Sequence, residues 1–74
     1  MREYVLYCDD GIELHRYTNI VDAYKGLQAE KKNPLNKFVW EYYFEIRERI
    51  GNIEYAEEVK IYRRKNKVFC RSIA

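Results

Sequence analysis

The side chains best able to supply a nucleophile and a base in this chain are Cys8, Cys70 and His15, its single histidine. A catalytic triad needs a nucleophile, a base and a third group that orients the base. His15 lies beside Arg16 in a predicted strand, which favours a partly exposed surface histidine over a catalytic base. Both cysteines lie among hydrophobic residues, where free thiols commonly serve as small core residues. The sequence therefore favours a protein that is not an enzyme.

Metal and cofactor chemistry has equally little support. The two cysteines show no CxxC spacing, and a zinc site wants four ligands with paired spacings. Asp9 and Asp10 offer two adjacent carboxylates, which make a weak cation site without further oxygen ligands. Aspartate before Gly11 more often forms a turn. A disulfide between Cys8 and Cys70 is the alternative to free thiols, but a reducing setting favours the thiols. No metal and no cofactor are predicted.

Charge is polarised along the chain. Six basic residues and no acidic one occur in the last sixteen positions, 59–74, whereas six acidic residues outnumber three basic ones in residues 34–58. The net charge of +2 conceals this separation. Local potentials steer and orient partners in a way that net charge does not report. The pattern therefore indicates a binding protein.

Residues 1–74 are expected to form one small domain. A chain of this length buries only about 60–65% of its unfolded surface, and its aromatic content of 16% exceeds what a thin core can cover. We expect a homodimer, because two-fold dimers are the commonest way to bury further surface. No run approaches the ~20 apolar residues of a membrane helix, and no apolar signal segment opens the chain. The sequence thus predicts a cytoplasmic protein without membrane contact.

The first third of the chain predicts a hairpin and a helix. Residues 3–8 and 12–17 are β-branched and aromatic, and they flank Asp10-Gly11, which favours a type I′ turn. The resulting register has three cross-strand pairs: Tyr4–Tyr17, Leu6–His15 and Tyr7–Leu14. Residues 19–32 follow with an asparagine N-cap and apolar residues at helical spacing, which predicts a helix.

Residues 35–50 fit two periodicities. Helical spacing places seven apolar residues on one stripe, whereas aromatic residues that alternate with charged ones are typical of a strand. The residue types favour a strand. Asn33 as N-cap, Pro34 at the first helical position and Gly51 just past the end favour a helix, and sixteen residues is long for a strand. We predict a helix here, with the strand as the alternative.

A second hairpin is predicted from residues 59–64 and 67–73 around Lys65-Asn66, because asparagine tolerates the left-handed conformation of a turn. Its register has three pairs: Tyr62–Phe69, Ile61–Cys70 and Lys60–Arg71. Residues 52–58 are expected to form an irregular link or a short helical turn. The order ββααββ predicts an α+β fold, in which two helices cover one face of a four-stranded antiparallel sheet made of two hairpins.

Two charged surfaces are candidate partner sites. The predicted helix over residues 35–50 presents an acidic face flanked by aromatic residues, formed by Glu41, Glu45, Glu48, Trp40 and Phe44. The basic hairpin presents cations beside two aromatic rings, formed by Arg63, Arg64, Lys65, Lys67, Tyr62 and Phe69. The hairpin has three interpretations: a nucleic-acid surface with phosphate contacts and stacked bases, a site for an acidic protein, or a solvated edge that resists aggregation.

In length and in its Tyr-, Glu-, Lys- and Asn-rich composition, the chain resembles the small phage proteins that inhibit the bacterial DNA polymerase sliding clamp in low-GC Gram-positive hosts. The resemblance covers residues 1–74 as a whole and involves no diagnostic motif. It implies a host-takeover protein that binds the clamp ring and stops its work on DNA.

No binding residue is carried over from that family. Peptides that enter the clamp's partner pocket carry Gln followed by Leu and a terminal aromatic residue. Here Gln28 precedes Ala29, and only residues 34–38 are loosely similar. The predicted acidic helix face indicates contact with a basic, DNA-binding surface instead, such as the clamp's inner channel. The sequence thus predicts a protein-binding inhibitor, with nucleic-acid binding by the basic hairpin as the alternative.

Overall fold

The computed structural model describes residues 1–73. Within them the chain forms five strands, one α-helix and a one-turn 3-10 helix. In chain order these are β1 (Arg2–Cys8), β2 (Ile12–Tyr17), α1 (Ile20–Lys32), the 3-10 helix (Pro34–Asn36), β3 (Tyr42–Ile50), β4 (Ile53–Arg64) and β5 (Lys67–Ser72). The α+β class is confirmed, but the number and order of its elements differ from the prediction.

The strands form one antiparallel sheet in the order β2-β1-β3-β4-β5. Helix α1 packs on one face of this sheet, here called the helix face, and the opposite face is called the open face. The buried core between helix and sheet consists of Leu6, Ala23, Leu27, Phe44, Ile46, Val59 and Ile61. Because side chains alternate along a strand, these residues determine which neighbours point to the open face.

The helix predicted over residues 19–32 is confirmed to within one residue. The Asn19 side chain accepts hydrogen bonds from the backbone N–H groups of Val21 at 2.8 Å and Asp22 at 3.2 Å. These N–H groups have no partner inside the helix, so the cap satisfies them. Lys31 and Lys32 occupy the last turn, where positive charge complements the helix dipole.

The basic hairpin forms with the predicted register, since Tyr62 pairs with Phe69 and Lys60 with Arg71. The left-handed residue of its turn is Lys65, with φ 56°, rather than the expected asparagine. The Lys65 carbonyl accepts a hydrogen bond from the neighbouring Arg63 guanidinium at 2.9 Å, which supports the turn.

The first hairpin departs from prediction in one pair. Tyr4–Tyr17 and Leu6–His15 are confirmed. The expected type I′ turn at Asp10-Gly11 is wrong, because three residues connect Cys8 to Ile12 and the left-handed ones are Asp9 and Gly11. A β-bulge follows, so Tyr7 lies opposite Glu13 and the expected pair of Tyr7 with Leu14 is wrong. The additional residue in β2 lets the Leu14 side chain pack against the core.

The predicted four-stranded sheet with two helices is wrong, because residues 42–50 form the central strand β3. This strand pairs with β1 on one edge and with β4 on the other. The segment 52–58 was expected to form an irregular link or a short helical turn, but residues 53–58 form the first half of β4. A central strand forms backbone hydrogen bonds along both of its edges. The aromatic and β-branched residues of this segment are also types that favour a strand. Helical periodicity in the same segment therefore has no structural counterpart.

The helix signals around this segment have other uses. The Asn33 side chain accepts from the Leu35 N–H at 3.0 Å, and Pro34 occupies the first position, but the helix they start is the 3-10 turn of three residues. Gly51, with φ 61°, lies in the tight turn between β3 and β4 rather than after a helix. Caps predict where a helix begins, and they do not predict how long it continues.

Gly26 of α1 lies directly against the Tyr17 side chain of β2. A Cβ atom at this position would overlap the Oη and Cζ atoms of Tyr17. Tyr17 itself packs against the core from β2. The absence of a side chain at Gly26 therefore allows the helix to lie on the Tyr17 ring.

We predict that Gly26→Ala lowers the free energy of unfolding by about 1 kcal/mol. Overpacking costs ~1–3 kcal/mol, which exceeds the ~1 kcal/mol that alanine gains over glycine in a helix. In a Tyr17→Leu background the same change should be neutral or stabilising, because the ring is gone. Urea denaturation of the four proteins measures this coupling. A stabilising Gly26→Ala in the native background would show that the ring moves aside without cost.

Candidate functional site

The candidate catalytic side chains lie apart. Cys8 is buried on β1 and Cys70 is partly buried on β5. Because β3 and β4 lie between, with ~4.8 Å per strand, the two backbones are about 14 Å apart, too far for a disulfide. Burial raises the pKa of both thiols, which lowers the thiolate fraction that a nucleophile requires. His15 lies exposed on β2, with its ring centroid 4.6 Å from that of Tyr17.

The Asp9 carboxylate joins two segments of the chain. Its Oδ1 accepts hydrogen bonds from the backbone N–H groups of Trp40 at 3.1 Å and Glu41 at 3.3 Å. The Asp9 N–H also donates to the Glu41 carbonyl at 2.9 Å. Within residues 1–73 no group of three metal-ligating side chains occurs. Asp9 thus fixes the end of the connection between α1 and β3.

The connection over residues 33–41, here called the apolar loop, exposes large hydrophobic side chains. Leu35 is 87% exposed, Phe38 82% and Trp40 71%. The backbone is nevertheless held, because the Val39 N–H donates to the Asn36 carbonyl at 3.0 Å, in addition to the bonds from Asp9. Three hydrophobic side chains therefore remain in solvent on an ordered segment.

The structure divides the predicted acidic and aromatic surface. Phe44 is 2% exposed and lies in the core, so it is not on a surface. Glu45 points to the open face and contacts Arg47 at 3.0 Å. Glu48 lies on the helix-face side and contacts Arg2 at 3.3 Å. With Glu41 in the apolar loop, the three glutamates share no common face, because successive positions of a strand point to opposite sides.

Ion pairs also neutralise much of the acidic part of the open face. Arg16 contacts Glu13 through two nitrogens, at 2.8 and 3.0 Å, and Glu3 at 3.2 Å. The hydrogen bond from Arg16 lowers the pKa of Glu13. Exposed pairs of this kind contribute little stability. They do cancel local charge, so the acidic residues here present only a weak negative potential.

The charge of the basic hairpin, in contrast, is not neutralised by ion pairs. Its six cations form no salt bridge with any carboxylate within residues 1–73. Strand alternation, read from the buried Val59 and Ile61, directs four of the six to the open face: Lys60, Arg64, Lys67 and Arg71. The result is a patch of unpaired positive charge at one end of the sheet.

Two aromatic rings lie within this patch. Tyr62 and Phe69 face each other across β4 and β5, with ring centroids 5.7 Å apart and an angle of 27° between the rings. The Arg71 guanidinium lies 6.0 Å from the Tyr62 centroid. Phe69 is 39% exposed. The rings and cations that sequence analysis named on this hairpin are thus partly brought together.

Two named cations lie elsewhere. Arg63 points to the helix-face side and lines a groove of about 570 Å³ between α1 and the β4–β5 hairpin, and Lys65 occupies the turn. Lys60 and Arg71, which were not named as site residues, take their place on the open face. Their position follows from the period of two along a strand, which was the signal available in the sequence. Leu35 and Phe38 were missed because a helical stripe would have buried them.

Comparison of the chain with protein-family models, with curated proteins and with solved structures finds no match. No helix within the described residues is long and apolar enough to cross a membrane. Two surfaces of the chain remain as candidate binding sites, the apolar loop and the open face of the basic hairpin.

We predict that Asp9→Gly loosens the apolar loop. The change removes the acceptor of the Trp40 and Glu41 N–H groups, while glycine adopts the φ of 53° at this position without strain. Amide exchange at Trp40 should accelerate by about tenfold or more, since hydrogen bonds to a charged group contribute ~1.5–3 kcal/mol. The control Asp9→Asn keeps an oxygen acceptor and should exchange nearly as the parent does. Equal exchange in all three proteins would contradict the tethering role.

Proposed function

We propose that this protein is a non-enzymatic inhibitor, encoded by a phage, that acts in the cytoplasm of a Gram-positive host. It binds the DNA polymerase sliding clamp of that host and blocks the clamp's work on DNA. The observation that carries the proposal is the apolar loop, with Leu35, Phe38 and Trp40 in solvent. The choice of target rests on the resemblance of the chain to phage clamp inhibitors in length and composition.

The apolar loop supports protein binding on two physical grounds. An ordered segment that exposes three large hydrophobic side chains is a candidate interaction site, because leaving apolar surface in water is unfavourable. Aromatic anchors, tryptophan above all, carry a large share of the energy of an interface. The Asp9 hydrogen bonds to Trp40 and Glu41 also order the loop before binding, so less conformational entropy is lost in a complex.

Charge supports a second contact with the target. Glu54 and Glu58, which lie on the open face in the first half of β4, form no salt bridge within residues 1–73. They complement a basic, DNA-binding surface, and complementary charge mainly raises the association rate. The acidic helix face expected from the sequence has no part in this proposal, since its residues lie on a strand.

We predict that Trp40→Ala weakens binding to a purified sliding clamp of a low-GC Gram-positive bacterium by about 30-fold. Truncation of a central aromatic anchor typically costs ~2 kcal/mol or more. Because Trp40 is 71% exposed, the melting temperature should stay close to that of the parent. Isothermal titration calorimetry measures affinity, and clamp-dependent primer extension measures inhibition.

The matched control is Ile73→Ala, which removes an exposed apolar side chain outside the apolar loop and should leave affinity unchanged. Competition with a pocket-binding peptide tests for contact at the clamp's partner pocket, and competition with primed DNA tests for contact in its inner channel. If the parent does not bind the clamp, or if Trp40→Ala binds as the parent does, the proposal is wrong.

The second partner that we propose is another copy of this chain. Ile50 and Ile53 pair at the end of the β3–β4 hairpin, and they are 66% and 70% exposed. Tyr55 follows on the same face and is 47% exposed. This apolar tip extends the helix face, and two copies related by a two-fold axis would bury it. Phe44, which the sequence placed among the candidate partner-site residues, is buried in the core and takes no part in this interface.

We predict that sedimentation equilibrium gives a mass approaching twice the 9.1 kDa of one chain as concentration rises. The double change Ile50→Ser and Ile53→Ser should shift the protein toward monomer without loss of secondary structure, because both side chains are mostly exposed. Lys31→Ser on the exposed side of α1 is the control and should not shift the equilibrium. A mass of 9.1 kDa at every concentration would rule out the dimer.

A further inference from the structure

The open face of β4 and β5 carries three successive cross-strand pairs of unusual composition. Lys60 pairs with Arg71, Tyr62 with Phe69, and Arg64 with Lys67. An aromatic pair thus lies between two pairs of cations, and adjacent pairs are about 7 Å apart, twice the rise of one strand residue. These six residues are called the basic stacking face.

Folding does not account for this composition. Like charges directly opposite each other in a sheet destabilise it, and two of the three pairs are of this kind. No carboxylate within residues 1–73 lies within salt-bridge distance of their cations. Glu58, the next open-face position on β4, limits the face at its inner end. The positive potential of the face is therefore available to a ligand.

The aromatic pair has room for a flat ligand. Phe69 is 39% exposed, and a depression of about 480 Å³ beside it is lined also by Arg64, Lys65 and Lys67. The Tyr62 ring supports Phe69 from one side at 5.7 Å between centroids. An apolar surface with cations on both sides suits a ligand that alternates flat rings with negative charges.

Single-stranded nucleic acid has this chemistry. Its unpaired bases stack on aromatic side chains, while lysine and arginine contact the phosphates. Duplex DNA hides its base faces, so it would use the cations and leave Phe69 unused. An acidic protein would likewise need the charge but not the paired rings.

We propose that the basic stacking face binds single-stranded nucleic acid, with a base stacked on Phe69, whose ring Tyr62 supports, and phosphates held by Lys60, Arg64, Lys67 and Arg71. The face shares no residue with the apolar loop. Nucleic-acid binding is therefore a second activity, and it stands or falls independently of clamp inhibition.

The test is fluorescence anisotropy of labelled oligo(dT) and oligo(U) of about 12 nucleotides, with the full chain, between about 50 and 200 mM salt. The parent should bind at low salt and lose affinity as salt rises. The two oligonucleotides distinguish DNA from RNA as the source of the same chemistry, and binding of either supports the proposal. A duplex of equal length and a polyglutamate peptide are the competitors, and both should compete poorly.

Two sets of variants separate stacking from charge. Phe69→Leu keeps an apolar strand residue but removes the ring, and it should lower affinity about tenfold at every salt concentration. Arg64→Gln with Lys67→Gln should reduce the salt slope by about 1.4, since each phosphate contact on a single strand contributes ~0.7. Lys31→Gln with Lys37→Gln removes two exposed cations elsewhere and is the matched control. Circular dichroism establishes that each variant is folded, and Trp40→Ala should bind oligonucleotides as the parent does.

Several outcomes overturn the proposal. They are failure of the folded parent to bind either oligonucleotide at low salt, equal competition by duplex or polyglutamate, and full affinity in Phe69→Leu. An equal loss of salt dependence in the Lys31 and Lys37 control would show general charge attraction rather than a site.

Discussion

Pairing of β3 on both of its edges is the constraint on which the rest of the structure depends. β3 is the middle strand of five, with β1 on one side and β4 on the other. Its alternation sends Phe44 and Ile46 under the helix and Glu45 and Arg47 to the open face. The other strands pair with β3 directly or through a neighbour, so the face on which each strand residue lies follows from this register.

One helix can cover only one face of such a sheet, and the open face must be stabilised without a second layer. The Tyr7 and Tyr43 rings stack with centroids 5.2 Å apart, and the Arg47 guanidinium donates to the Tyr7 hydroxyl at 3.0 Å. Val5, on the same face of β1 as Tyr7, is fully buried. Aromatic stacking and arginine contacts thus cover β1 and β3 on the open face, as helix α1 covers the sheet on the helix face.

Aromatic and cationic side chains are arranged differently over β4 and β5. Near β1 and β3 the arginines are paired with glutamates, and the rings are largely covered. On the basic stacking face the cations are unpaired and Phe69 is partly exposed. Charge is thus separated along β4, with carboxylates in its first half and unpaired cations near its end, so the two ends of the strand have opposite local potentials.

The sequence by itself determined the two hairpins, the cap of α1 and the register that sets Tyr62 opposite Phe69. These features depend on short-range turn and cap chemistry, in which the interacting groups are a few residues apart. It did not determine the state of residues 35–50, because the choice between helix and strand depends on two partner edges that are distant in the chain. Only the tertiary structure decided that Phe44 is buried and that Leu35 and Phe38 are exposed. Each of these follows from the placement of β3, which is held by long-range hydrogen bonds that no local pattern encodes.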